Sequence, residues 1–153
     1  MFASLYMLAM SLTHGHAYAR CVGVAEVATW LSQRRDPALY FPALAAQDPD
    51  AARAKVARLW VTWTFFESSF RSDVAGDHGR SCGIAQVAPT PSTPSCAEMR
   101  RSAYVGMSAG ADVLERLTRE CGSLRSALGA YASGKCGGAP ALVDRRCALA
   151  GGC

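Results

Sequence analysis

Leu59-Trp60-Val61-Thr62-Trp63-Thr64-Phe65-Phe66-Glu67 is the stretch on which the fold turns. An uncharged, aromatic-rich run ends in a single carboxylate. On a helical wheel, Val56, Leu59, Trp60, Trp63, Glu67 and Phe70 fall within one arc of about 100°. Glu67 is therefore expected to share the face of the tryptophans. Burying a carboxylate is costly unless it stays neutral or finds partners. Its pKa should rise, as a general acid working near neutral pH requires. The negative end of a helix dipole acts in the same direction. Periodicity alone fits a second reading equally well, a partly buried helix-end carboxylate that holds the following loop.

Upstream, Asp48 suits an N-cap and Pro49 a first helical position, which predicts a helix from Pro49 to about Ser68. Residues 22–34 read as an earlier helix, and Pro37 and Pro42 are expected to break the chain after it. Residues 71–90 are rich in Gly, Ser and Asp and predict a loop with a short irregular hairpin around residues 84–87. Pro89, Pro91 and Pro94 end that segment. Helical patterns resume over residues 97–120, 123–131 and 141–149, with Gly122 and Gly134 between them. The fold class expected is mainly α with a small irregular β-hairpin.

The chain has 153 residues, half of them hydrophobic, which suits one domain with a sizeable core. Residues 1–19 contain no Lys, Arg, Asp or Glu. An apolar run, residues 2–12, precedes Ala17-Tyr18-Ala19, the A-x-A pattern of a secretory cleavage site. Residues 1–19 are read as a signal peptide and 20–153 as the mature domain, with Arg20 as its first residue. The basic segment that usually opens a signal peptide is missing, and a first helix that stays and packs is the other reading. The run is too short to span a bilayer comfortably.

All seven cysteines lie beyond residue 19. Dispersed cysteines behind an export signal read as disulfides. Cys82 with Cys96 is the most attractive pair, because it would close a Pro-rich loop. Any six cysteines allow 15 connectivities, so the other bridges stay open, and the odd count leaves one thiol over. No C-x-x-C pair supports a zinc site, and neither metal nor cofactor is expected. The net charge of +4 suits an exported protein with an anionic partner such as cell wall, or ordinary solubility. The basic residues are scattered, which argues against nucleic acid. No stable membrane span is expected, and the chain is read as a monomer in the periplasm or outside the cell.

Beyond residue 19 the one histidine is His78, in a polar turn-like segment, which leaves little room for a Ser-His or Cys-His site. Glycosidic cleavage fits better: it needs a proton donor for the leaving oxygen and often a second carboxylate. Glu67-Ser68-Ser69-Phe70 resembles the E-S-x-F motif of lytic transglycosylases of the soluble-transglycosylase class, which share the goose-type lysozyme fold. Gly83-Ile84-Ala85-Gln86-Val87-Ala88-Pro89 resembles that family's G-L-M-Q-x-x-P segment. Residues 127–134, Ala-Leu-Gly-Ala-Tyr-Ala-Ser-Gly, resemble its A-L-x-A-Y-N-A-G segment. The three occur in the family's order.

The resemblance implies a lysozyme-like α+β domain in which Glu67 is the catalytic acid and base. Ser68, Gln86 and Tyr131 would line the glycan cleft or orient Glu67. It implies cleavage of peptidoglycan strands between N-acetylmuramic acid and N-acetylglucosamine, leaving 1,6-anhydro ends. Ala85 stands where the family has methionine and Ala132 where it has asparagine, departures that bear on substrate affinity more than on reaction type. Two rivals stand beside this reading. One is a hydrolytic lysozyme in which Asp73 or Asp77 positions a water. The other is a cell-wall-binding protein without turnover.

Overall fold

Asp48 starts the central helix by accepting hydrogen bonds from the backbone amides of Asp50 and Ala51 at 3.1 and 2.9 Å. Pro49, with no amide hydrogen to leave unpaired, takes the first helical position. The helix runs Pro49–Ser68 and stops where Ser69 and Phe70 turn left-handed, with φ of 52° and 63°. The computed structural model describes residues 1–15 and 18–153.

Among these residues the elements in chain order are α1 (Phe2–Leu12), α2 (Tyr18–Arg34), α3 (Pro37–Tyr40), α4 (Pro42–Gln47) and α5 (Pro49–Ser68). A two-residue strand follows, β1 (Ala75–Gly76), then a single 3-10 turn at Asp77–Gly79 and β2 (Ser81–Cys82). The rest is α6 (Cys96–Arg101), α7 (Ala103–Cys121), α8 (Leu124–Ser133) and α9 (Pro140–Ala150). The domain is mainly helical with one small antiparallel hairpin, as the sequence pattern predicts.

Helix α5 is the axis of the core. Helices α1 to α4 and α9 all pack on it. Its buried residues include Val61, Thr62 and Thr64 as well as Val56, Leu59, Trp60 and Trp63. The single apolar arc expected from the wheel is therefore too narrow, because a helix covered on most sides buries residues all round. Thr64 is tolerated there because its hydroxyl donates to the Trp60 carbonyl at 2.7 Å. Phe70 is buried, but it lies beyond the helix end and packs on Phe65 with ring centroids 5.5 Å apart.

Three boundaries differ from expectation. Pro37 and Pro42 open the short helices α3 and α4 instead of breaking the chain, and Asp36 caps the first of them through the Ala38 amide at 2.9 Å. The helix expected over residues 97–120 is two helices. Ser102 is extended (φ −139°, ψ 119°) and its hydroxyl accepts from the Val105 amide, so it caps α7 and ends α6. The hairpin lies upstream of residues 84–87: Ala75 pairs with Cys82 and Gly76 with Ser81. Residues 83–86 form a tight turn that lets Cys82 pair with Val87 through bonds of 3.0 and 3.1 Å. Gly83 enables it, with φ of 74°; a β-carbon there would sit 2.8 Å from the Met99 carbonyl oxygen.

Helix α1 buries Leu5 and Ala9 against the core and leaves Phe2 and Met7 exposed. Of the expected cleavage motif, Ala17 lies outside the described residues; Tyr18 and Ala19 are exposed in the first turn of α2. No helix among the described residues is long and apolar enough to cross a membrane. Three disulfides are present: Cys82–Cys96, the pair expected from sequence, Cys121–Cys136 and Cys147–Cys153. The remaining cysteine, Cys21, is a buried free thiol.

Candidate active site

The end of α5 opens into a cleft of about 980 Å³. Its walls come from the hairpin and the turn after it, the Pro-rich loop, and helices α7, α8 and α9. Glu67, Gln86 and Tyr131 all line this cleft, although the sequence separates them by up to 64 residues (131 − 67).

Ser68 does not line it. Its hydroxyl is bonded to two carbonyls, Thr64 at 3.1 Å and Ile84 at 2.8 Å. The second bond ties the turn that carries Gln86 to the helix that carries Glu67. Ser68 therefore acts on the geometry of the cleft from behind its surface.

Gln86 adopts a left-handed backbone with φ of 50°, and its side-chain amide donates to the Gly83 carbonyl at 2.8 Å. Gly76 leaves the space for it; a β-carbon at that position would collide with the Gln86 amide oxygen. The Tyr131 hydroxyl donates to the Ala85 carbonyl at 2.7 Å, and its ring stands edge-on to Trp63 at 5.5 Å. Gly110 on α7 permits this approach, because a β-carbon there would lie 2.7 Å from the Ala85 side chain and 3.1 Å from the Tyr131 hydroxyl. Burial pushes the Tyr131 phenol well above its ordinary pKa, and the nearby Glu67 charge adds to the shift while Arg146 opposes it. Tyr131 thus keeps its proton, spends it on Ala85, and offers lone pairs to anything else.

Glu67 is largely buried, with 17% of its side chain exposed. Its oxygen Oε1 accepts a hydrogen bond from Arg146 on α9, forming a nearly buried ion pair. The Arg146 guanidinium also lies over Trp63, 4.2 Å from the ring centroid, and 5.3 Å from that of Phe66. Burial raises the Glu67 pKa, Arg146 pulls it down by charge and hydrogen bond, and Asp77 raises it further; the net direction is upward. Burial is the largest of these effects.

The two aspartates expected as alternatives separate clearly. Asp77 lines the same cleft and accepts a 2.6 Å hydrogen bond from the Ser81 hydroxyl. Asp73 lies outside it, exposed and paired with Arg71 at 3.0 Å, which holds its carboxyl below the usual carboxylate range. His78 is exposed and is not part of the lining. Among the described residues, no cluster of three His, Cys, Asp or Glu side chains could hold a metal.

Arg146 is the site residue that sequence reading misses. It sits in the doublet Arg145-Arg146, which looks like ordinary solvated charge. The findable signal is spacing: Val143, Arg146, Cys147 and Ala150 follow i, i+3, i+4, i+7, and all four are buried. An arginine at an apolar position of such a stripe needs a buried partner. The Pro-rich loop adds Thr90 and Thr93 to the lining, which also carries Arg80 beside Asp77, and Arg116, paired with Glu120 at 2.9 Å. Compared with known proteins, the chain matches no family model, no curated protein and no solved structure.

Proposed function

We infer that the chain is an exported lytic transglycosylase acting on peptidoglycan glycan strands, with residues 20–153 as the catalytic domain. The observation that carries this reading is Glu67: a largely buried carboxylate facing a large cleft, with its pKa raised by burial. The resemblance of the three motifs to the soluble-transglycosylase class supplies the substrate and the reaction. Gln86 and Tyr131 lining the same cleft as Glu67, and Ser68 holding it together, agree with the roles that resemblance implies.

In the reaction, protonated Glu67 gives its proton to the glycosidic oxygen between N-acetylmuramic acid and N-acetylglucosamine. The bond from that oxygen to C1 breaks and its electron pair stays on the oxygen. The Glu67 carboxylate then takes the proton of the muramic acid C6 hydroxyl while the C6 oxygen bonds to C1. The acid is regenerated, and neither water nor a second carboxylate is consumed.

One observation favours a second reading. Asp77 shares the cleft with Glu67, so it is placed to position a water as in a hydrolytic lysozyme. The deciding experiment is clearing of a peptidoglycan suspension by the purified protein and its Glu67→Gln variant. Clearing that is lost in the folded variant supports an enzyme with Glu67 as acid. No clearing by the wild-type protein leaves a wall-binding role in place of both enzymes.

A further inference from the structure

The Glu67–Arg146 pair is a feature that a lone acid on a helix end does not need. A guanidinium has five N–H donors. Here Nη1 goes to Glu67 Oε1, and Nε is buried with no partner among the described residues. The charge is nevertheless firmly seated. Trp63 and Phe66 provide aromatic surface for the guanidinium. Helix α9 packs on α5, Cys147 beside Arg146 is bridged to Cys153, and Arg58 on α5 donates to the Ala150 carbonyl at 3.3 Å. No hydrogen bond from the described residues reaches the other carboxylate oxygen, Oε2.

Building on the reading of Glu67 as the acid, we propose that Arg146 is its positioning residue: it fixes Oε1, leaves Oε2 as the oxygen that exchanges the proton with substrate, and stabilises the carboxylate that exists between the two halves of the reaction. The proton on Oε2 passes to the glycosidic oxygen as the C1–O bond breaks. The negative charge left on Glu67 then lies against the guanidinium. It is discharged when the C6 hydroxyl gives up its proton and its oxygen closes on C1.

Other groups act on Glu67 as well. Asp77, from the turn after β1, opposes its ionisation. Tyr131, from α8, is neutral and bonded to Ala85. Arg145 is directed to Phe66, 5.4 Å from the ring centroid. Among the described residues Arg146 is thus the cation in direct contact with the acid, and removing it should leave burial and Asp77 unopposed.

The test measures the Glu67 titration by carbon-13 NMR of glutamate-labelled protein, with Glu67→Gln supplying the assignment, alongside the pH profile of glycan cleavage. Arg146→Met should move the Glu67 midpoint up by about one pH unit or more. The basic limb of kcat/KM should move up with it, and kcat should fall. Arg146→Lys keeps a charge but loses the planar contact; its midpoint should stay near wild type while kcat falls about tenfold. A folded Met variant with an unmoved midpoint overturns the proposal. If the Met variant does not fold, a Lys variant with wild-type kcat overturns it. Should the wild-type protein cleave no glycan while the midpoint still moves, the catalytic reading fails and the electrostatic coupling of the two residues stands.

Discussion

The Ser68 hydroxyl and the Ile84 carbonyl, 2.8 Å apart, join the end of the helix bearing Glu67 to the turn bearing Gln86. The bond crosses 16 residues of irregular chain (84 − 68). Regular structure in that stretch is one short hairpin and a 3-10 turn, held further by the Cys82–Cys96 disulfide and by Arg100, which donates to the Asp73 carbonyl at 2.8 Å. Ser68→Ala removes the tie and leaves the Ile84 carbonyl short of a partner, at a cost of about 1 kcal/mol. The expected outcome is a folded protein with a slightly lower Tm and glycan cleavage reduced about tenfold or more, because small displacements in an active site are costly. Parallel thermal melts and turbidity assays check it; unchanged cleavage would make the tie irrelevant to the site.

How far this tie is legible in the sequence shows where such reading works. Asp48-Pro49 announces its helix because capping depends on a few neighbouring residues. The motifs place Glu67, Gln86 and Tyr131 in one cleft because each sits near the end of a local element. The hairpin is misplaced because its strands are two residues long, too short to carry an alternating pattern. Ser102 is missed because one capping serine inside a helical pattern looks like a surface residue. Arg146 is missed for a different reason: the spacing in its helix marks it as buried, but its partner lies 79 positions away and no local pattern identifies that partner.

Glu67 should impose its titration on both rate and stability. Its folded pKa is above the ordinary carboxylate value, chiefly through burial. The folded state therefore holds the proton more tightly than the unfolded chain. The stability this contributes is full below the ordinary value and is lost as pH rises through the Glu67 pKa. Chemical denaturation across this window should show stability falling with pH in the wild-type protein and falling less steeply in Glu67→Gln. Cleavage should decline on the basic side as the acid form is lost, and Glu67→Gln should lose on the order of 100-fold or more in rate. Identical stability slopes in the two proteins would contradict the raised pKa.

Export and oxidation are tested together. Material recovered from outside the cytoplasm should begin at Arg20, by the cleavage motif before it. Non-reducing peptide mapping should find the bridges Cys82–Cys96, Cys121–Cys136 and Cys147–Cys153 and a free thiol at Cys21. Removal of α1 takes Leu5 and Ala9 out of the core, so the processed chain should melt lower than the full chain. Burial of one leucine is worth about 2 kcal/mol, enough for a shift of several degrees. Exported protein that retains Met1 would make α1 a permanent part of the fold.

The last prediction concerns the product. If Glu67 works without a water-positioning partner, released muropeptides should end in 1,6-anhydro-N-acetylmuramic acid. The C6 hydroxyl belongs to the sugar being cleaved, so it reaches C1 at a high effective concentration and can outcompete water. The competing outcome requires a second carboxylate, and the cleft narrows the choice to one. Asp77 lines it, while Asp73 is outside and paired with Arg71. Asp77 is also bonded to Ser81, which leaves it less free to hold a water. Mass spectrometry of a digest decides the matter, because a hydrolysed end carries the mass of a water that the anhydro end lacks. Asp77→Asn should leave the anhydro product dominant and the rate within a few fold of wild type. Reducing ends in the wild-type digest, lost together with turnover in Asp77→Asn but not in Asp73→Asn, would identify a lysozyme that uses Asp77 to position its water.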